Sequence, residues 1–253
     1  RQRTHRTAEG WCRAVKDFLS VLAEPGQVVE IRILDAPKST ISGYFDDWDK
    51  LTEAVKAYDG KANIYITLNP VNIALLARAN NRLIQRPKNT TSDNDITARR
   101  WLLFDLDPQR PSGICATEEE KAAAKERARQ IYASLKQAGW PEPVVADSGN
   151  GYYLLYRVDL PNDNESKDLV QACLQALSVK FDDERVSIDT SVFNAARIIR
   201  LVGTVNCKGD STEDRPHRRS KLLQVPEALE PVPGEKLREL AALAPKPEPR
   251  PVP

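Results

Sequence analysis

The stretch "RRWLLFDLDPQRPSG", residues 99–113, ends an apolar run on two carboxylates one residue apart, Asp105 and Asp107. The run is too short for a helix and, bounded by a Pro-Gly turn signal, reads as a strand. In a strand, residues two apart project from one face, roughly 7 Å apart at Cα. The two carboxylates therefore share a face and repel each other unless something positive relieves them. Divalent cations that prefer oxygen ligands would do so. Taken alone, the plainer reading is a solvated strand end, with Asp107-Pro108 opening a turn.

Downstream, "PVVAD" (143–147) and "GYYLLYRV" (151–158) read as strands joined by a turn at Ser148, Gly149 and Asn150, a hairpin. Ser148, Gly149 and Gly151 allow backbone N–H groups to face an anion without obstruction, although S-G-N-G is turn chemistry in any protein. Strand alternation puts Tyr152 and Tyr153 on opposite faces. Further on, "VSIDTSVFNAARIIRLVGTVNCKGD" places Asp189 after a short apolar alternation, with Arg197, Arg200 and Lys208 in the next 20 residues. Cations beside a carboxylate cluster suit a triphosphate, and Arg offers forked donors. They are equally well surface charges on an amphipathic piece.

Around these patches the pattern predicts a helix over 9–24, strands at 28–34 and 39–45, a helix over 48–58 and a strand at 63–68. Segment 69–98 is polar and irregular, with a short helical piece at 73–77. A loop of that length is functional or mobile, and its Arg78, Asn80, Asn81 and Arg82 are candidates to line a channel. Thr117 with Glu120 makes a capping box, opening a helix that runs to about Ala138 and stops at Gly139. A helix follows over 165–180, then short extended pieces at 187–189 and 221–225. Residues 1–8 read as a flexible lead-in. From Pro226 onward eight of the 18 prolines crowd into 28 residues, which reads as a linker with one helical turn near 235–243.

The chain has 253 residues, enough for one large domain or two small ones. A formal net charge of +1 excludes a globally basic nucleic-acid binder, so any such surface is local. No apolar run reaches the ~20 residues that span a bilayer, and the opening stretch "RQRTHRTAEG" is basic but lacks the apolar segment expected of a signal peptide. Cys12, Cys115, Cys173 and Cys207 are far apart with no CxxC pair, which excludes zinc spacing and suits free thiols in a reducing cytoplasm. No GxxxxGK[ST] occurs, so there is no P-loop, and two histidines, His5 and His217, are too few and too far apart for a nicking protein's metal site.

The order of the patches (hhhDhD strand, S-G-x-G hairpin, then h-h-D with R-x-x-R) resembles the archaeo-eukaryotic primase superfamily. It is similar to the primase-polymerase domains of mobile elements, phages and plasmids. "LNPVNIALLARANNRL", "TTSDNDI", "WLLFDLDP", "DSGNGYYLLYRVDLPND", "VFNAARIIRLVGTVNCKGD" and "RPHRRSKLLQVP" carry the likeness, which covers about residues 10–226.

The resemblance implies an α+β fold in which an N-terminal α/β unit (9–98) packs on an RRM-like unit (99–226) carrying the carboxylates. Residues 227–253 would be a proline-rich tail. It implies a catalytic domain for template-directed nucleotidyl transfer from dNTPs or rNTPs on single-stranded DNA, in the cytoplasm and without membrane attachment. Two divalent ions, Mg²⁺ or Mn²⁺, and a helicase or other replication module beyond the tail are implied too. Carried over, Asp105, Asp107 and Asp189 would be catalytic metal ligands. Ser148, Gly149, Arg197 and Arg200 would meet the nucleotide's phosphates, with Lys208 as helper. The family's second motif reads S-G-x-G-x-H, and here Tyr153 stands where the histidine would be. A phenol donates one hydrogen bond but brings no charge, which should weaken nucleotide binding by roughly 1–2 kcal/mol. The alternative is a catalytically degenerate primase-fold module that binds nucleotide or nucleic acid in replication initiation.

Overall fold

The computed structural model describes residues 2–34 and 39–245. The first helix, α1 (Gln2–Leu22), buries Val15, Phe18, Leu19 and Leu22 along one stripe. Trp101 Nε1 donates to the carbonyl of Leu22 at 3.0 Å, satisfying one of the helix's last acceptors. The helix starts inside the stretch expected as a lead-in, since no Gly or Pro interrupts residues 2–9.

The first sheet contains β1 (Val29–Leu34), β2 (Ile41–Phe45), β3 (Asn63–Thr67) and β4 (Ile84–Gln85), with α2 (Trp48–Lys56) between β2 and β3. Its order is β4-β2-β1-β3, all antiparallel, and a later strand, β9 (Ile198–Arg200), completes it beside β3. The long segment 69–98 is tied down. It contains a 3₁₀ turn at Ile73–Arg78, and its Thr91 N–H donates at 3.0 Å to the fully buried Glu30 carboxylate. Asn81, at φ 49°, accepts from the N–H groups of Asp46 and Asp47. Asn is one of the few side chains that tolerates this left-handed conformation.

The second sheet is built on the opening stretch. β5 (Arg99–Pro108) is its interior strand, followed by α3 (Glu118–Gln137), β6 (Val144–Asp147), β7 (Tyr152–Leu160), α4 (Asn164–Phe181) and β8 (Val186–Ile188). The spatial order β6-β7-β5-β8 on this βαββαβ path, antiparallel throughout, is the arrangement of an RRM-like sheet. An added strand, β12 (Lys221–Gln224), extends the β6 edge, and a small ribbon pairs β10 (Val205–Asn206) with β11 (Arg218–Arg219).

The capping box forms as expected: Thr117 Oγ1 accepts from the Glu120 N–H and Glu120 Oε2 from the Thr117 N–H. Alternation along β5 sends Phe104 to the helical side, where it meets Tyr156 and Trp140 at ring-centroid distances of 5.6 and 6.4 Å. Leu103 and Asp105 face the other way.

Two expectations change. Residues 227–245 are not a free linker. α5 (Gly234–Ala241) buries Leu237 and Leu240 and packs on α4, and Val232 N–H donates to the Arg157 carbonyl at 2.8 Å. The prolines at 231, 233 and 245 mark where this helix can start and stop, not an unstructured run. The remaining tail, 246–253, lies outside the described residues. The boundary at 98/99 is also crossed, because β9 returns from the second half to finish the first sheet.

Candidate active site

A cleft of about 260 Å³ opens where the two sheets meet. β5 supplies Asp105 and Asp107, β7 Tyr153, and the hairpin between β6 and β7 Ser148 and Asn150. From the first sheet come Leu34, Tyr65, Ile198 and Arg200, with Arg197, Asn206 and Lys208 from the segments around β9 and β10. Arg78, Asn80, Asn81 and Arg82 do not line it.

Asp105 and Asp107 share the cleft-facing side of β5. Asp107 has 41% of its side chain exposed and lies 3.5 Å from Arg110. Asp189 is delivered by the end of β8: its N–H donates to the Asp105 carbonyl at 2.9 Å, so the two residues are neighbours across strands. Its carboxylate Oδ1 accepts from the Ser191 N–H at 2.8 Å. Burial, and then the like charges of Asp107 and Asp189, push the Asp105 carboxyl well above the ordinary carboxylate range, with Lys208 and Arg197 opposing.

The hairpin turn is close-fitted. Ser148 Oγ accepts from the Gly151 N–H at 3.0 Å, and the Gly149 N–H donates to Asp147 Oδ1 at 2.7 Å. Gly149 sits at φ +96°, with the Asn206 side chain directly beneath it.

No family model and no curated protein matches the sequence. Among solved structures, the chain is similar to the AEP domain (PP-N190) of the cyanophage S-2L primase-polymerase, PrimPol. The match has a TM-score of 0.52 at 14% identity and covers 92% of this chain and 97% of that one. The chain has the archaeo-eukaryotic primase fold.

Within that primase fold, Asp105 and Asp107 line one cleft with Ser148 and Asn150 of the hairpin. Asp189, 84 residues after Asp105, is held beside Asp105 through the backbone and is not among the residues that line the cleft. Among the described residues no group of three or more His, Cys, Asp or Glu is gathered closely enough to hold an ion. The donor chemistry nevertheless fits one. The carboxylates are hard oxygen ligands, and Asp105 carries an excess of negative surroundings that a cation would offset.

The cations divide into two kinds. Arg215, Arg218 and Arg219 are spent on Glu120, Glu118 and Asp59. Arg197 and Lys208 form no ion pair among the described residues, although Arg197 donates one bond to the Ser191 carbonyl. Arg200 is 1% exposed, not a surface charge. It donates to Val205 O, Asn63 Oδ1 and Tyr65 OH and stacks on the Tyr65 ring at 5.0 Å. Tyr153 is buried opposite Asp105 on the sheet, and its hydroxyl accepts from the Arg200 N–H at 3.4 Å, joining the two sheets. Burial and the Asp105 charge raise its phenol well above the ordinary value, so it stays neutral. Asn150, Asn206 and Arg110 were not legible as site residues. Polar residues in a turn or after a strand carry no signal of burial.

No helix among the described residues is long and apolar enough to cross a membrane, and all four cysteines are free.

Proposed function

We propose that this chain catalyses template-directed nucleotidyl transfer, making or extending primers on single-stranded DNA. The observation that carries the reading is the cleft itself: a carboxylate pair on one strand face, opposed by Arg197 and Lys208, which have no carboxylate of their own among the described residues. Asp105, Asp107 and Asp189 would hold the divalent cations. When bound, two such ions lower the pKa of an attacking 3′-hydroxyl and neutralise the triphosphate. The carboxylates bind and orient, and need not accept the proton. Arg197 and Lys208 pull the triphosphate toward them. The Ser148, Gly149 and Gly151 N–H groups are bonded within the hairpin, so the turn meets the phosphates through the Ser148 hydroxyl, whose proton those bonds do not use. Arg200 would have to give up protein hydrogen bonds to touch a phosphate. Its part is to fix β9, and with it the position of Arg197. Template contacts through phosphates would be modest and strongly salt-dependent, given the net charge of +1. A replication module beyond residue 253, a helicase for example, would supply further grip.

The test is a gel assay of primer synthesis and extension on single-stranded DNA with Mg²⁺ or Mn²⁺ and each nucleotide set. Products dependent on the cation and complementary to the template support the reading. Nucleotide binding with no product under any condition favours the degenerate binding module, which the loss of the histidine charge at Tyr153 speaks for.

Tyr153 has a test of its own. Tyr153→Phe leaves a buried N–H without its acceptor and should cost about 1 kcal/mol in chemical denaturation, while nucleotide affinity changes less than twofold. A tenfold fall in affinity at unchanged stability would place the phenol on the nucleotide.

A further inference from the structure

Two asparagines in the cleft wall each have one half of their amide satisfied. Asn150, 1% exposed, accepts from the Ala116 N–H through Oδ1 at 2.9 Å, and its Nδ2 has no partner among the described residues. Asn206, 3% exposed, donates through Nδ2 to the Ser148 carbonyl at 3.1 Å, and its Oδ1 likewise has none. Neither amide gains by turning over. Ala116 N–H needs an oxygen and Ser148 C=O needs a donor, so the bonded halves fix the orientation. Asn150 and Asn206, both lining the cleft beside Ser148, therefore carry one buried donor and one buried acceptor that no described protein group uses. Buried polar atoms without partners are rare in folded proteins.

The chemistry of the missing partner follows. A phosphate oxygen only accepts, and would satisfy Asn150 alone. An ammonium only donates, and would satisfy Asn206 alone. A hydroxyl accepts and donates at once. Hydroxyl groups of a nucleoside triphosphate are confined to its sugar.

We propose that Asn150 and Asn206 together hold a sugar hydroxyl of the incoming nucleotide, Asn150 donating to it and Asn206 accepting from it. This deepens the nucleotidyl-transfer reading and rests on it. The pair would make the site sensitive to the sugar without a bulky gate, and it would fix the sugar relative to the Ser148 turn.

The experiment is equilibrium titration of the whole chain, in the presence of Mn²⁺, with a ribonucleoside, a 2′-deoxynucleoside and a 2′,3′-dideoxynucleoside triphosphate of one base. Removal of the hydroxyl that is read should weaken binding about tenfold, the value of two ordinary hydrogen bonds. The step at which affinity falls tells the 2′ from the 3′ hydroxyl. In Asn150→Asp, which keeps the acceptor for the Ala116 N–H and removes the donor, that ratio should fall to about threefold, the value of the one bond left to Asn206. In Asn206→Asp, which keeps the acceptor, the ratio should survive even where overall affinity falls with the lost Ser148 bond. Equal affinity for all three nucleotides, as a bound water alone would give, overturns the proposal. So does a tenfold ratio unchanged by Asn150→Asp. Failure to bind any nucleotide would instead overturn the transferase reading beneath it.

Discussion

Replacing Asp105 with asparagine is expected to stabilise the fold while cutting primer synthesis steeply. The two effects have one origin. In the folded protein the Asp105 carboxyl is held well above its ordinary value by burial and by Asp107 and Asp189. Between the ordinary value and the raised one, the folded state binds a proton that the unfolded state has released. Stability therefore falls as pH rises through that window, and the full penalty is present above it. Asparagine has no proton to lose, so Asp105→Asn should raise the urea midpoint at neutral pH without divalent cation. The advantage should disappear below the ordinary carboxylate range, where wild type is protonated in both states. Synthesis should fall about a thousandfold, since the charge stabilisation removed is several kcal/mol. Urea melts of both proteins across pH, beside the gel assay, check the pair of signs. A variant that is less stable at neutral pH, or that still synthesises primers at the wild-type rate, would remove Asp105 from the role proposed for it.

Why parts of this molecule were legible in the sequence, and others not, comes down to locality. β5, the β6–β7 hairpin and the α3 capping box are set by neighbours a few residues apart, and apolar alternation or a Thr–Glu pair announces each one. β9 and β10 have two or three residues each and exist only through partners far along the chain, such as Tyr65 opposite Arg200. Arg200 reads as a surface charge because nothing local shows that Asn63, Tyr65 and Val205 will enclose it. The same blindness hid Asn150 and Asn206 in turn-like polar runs. α5 was half-seen: its Leu237 and Leu240 spacing is helical, but the prolines around it suggested a linker. The acidic triad is a mixed case. Asp105 and Asp107 share a face by strand geometry alone, whereas Asp189 reaches them through β8, whose register on β5 no local pattern determines.

Gly151 is expected to be the least replaceable residue of the hairpin, and Gly151→Ala to destabilise the protein by about 3 kcal/mol, at the upper end for added core volume. A Cβ placed there would lie 2.1 Å from the Leu106 carbonyl oxygen and 2.9 Å from Asp107 Oδ1. The first contact is backbone in the interior strand of the sheet, so no side chain can swing away to relieve it. Either β5 moves or the turn opens, and the Gly151 N–H bond to Ser148 Oγ is strained with it. Both responses shift Asp107 against the Ser148 turn, so cation-dependent nucleotide binding should weaken along with the fold. Gly10→Ala is the control: no described atom lies within 4 Å of where its Cβ would stand, and it sits in α1, where alanine is favoured by about 1 kcal/mol. Urea denaturation of the two variants, with nucleotide titration under conditions where both remain folded, separates the cases. A Gly151→Ala protein of wild-type stability would mean that β5 and the hairpin are not packed as tightly as their geometry requires.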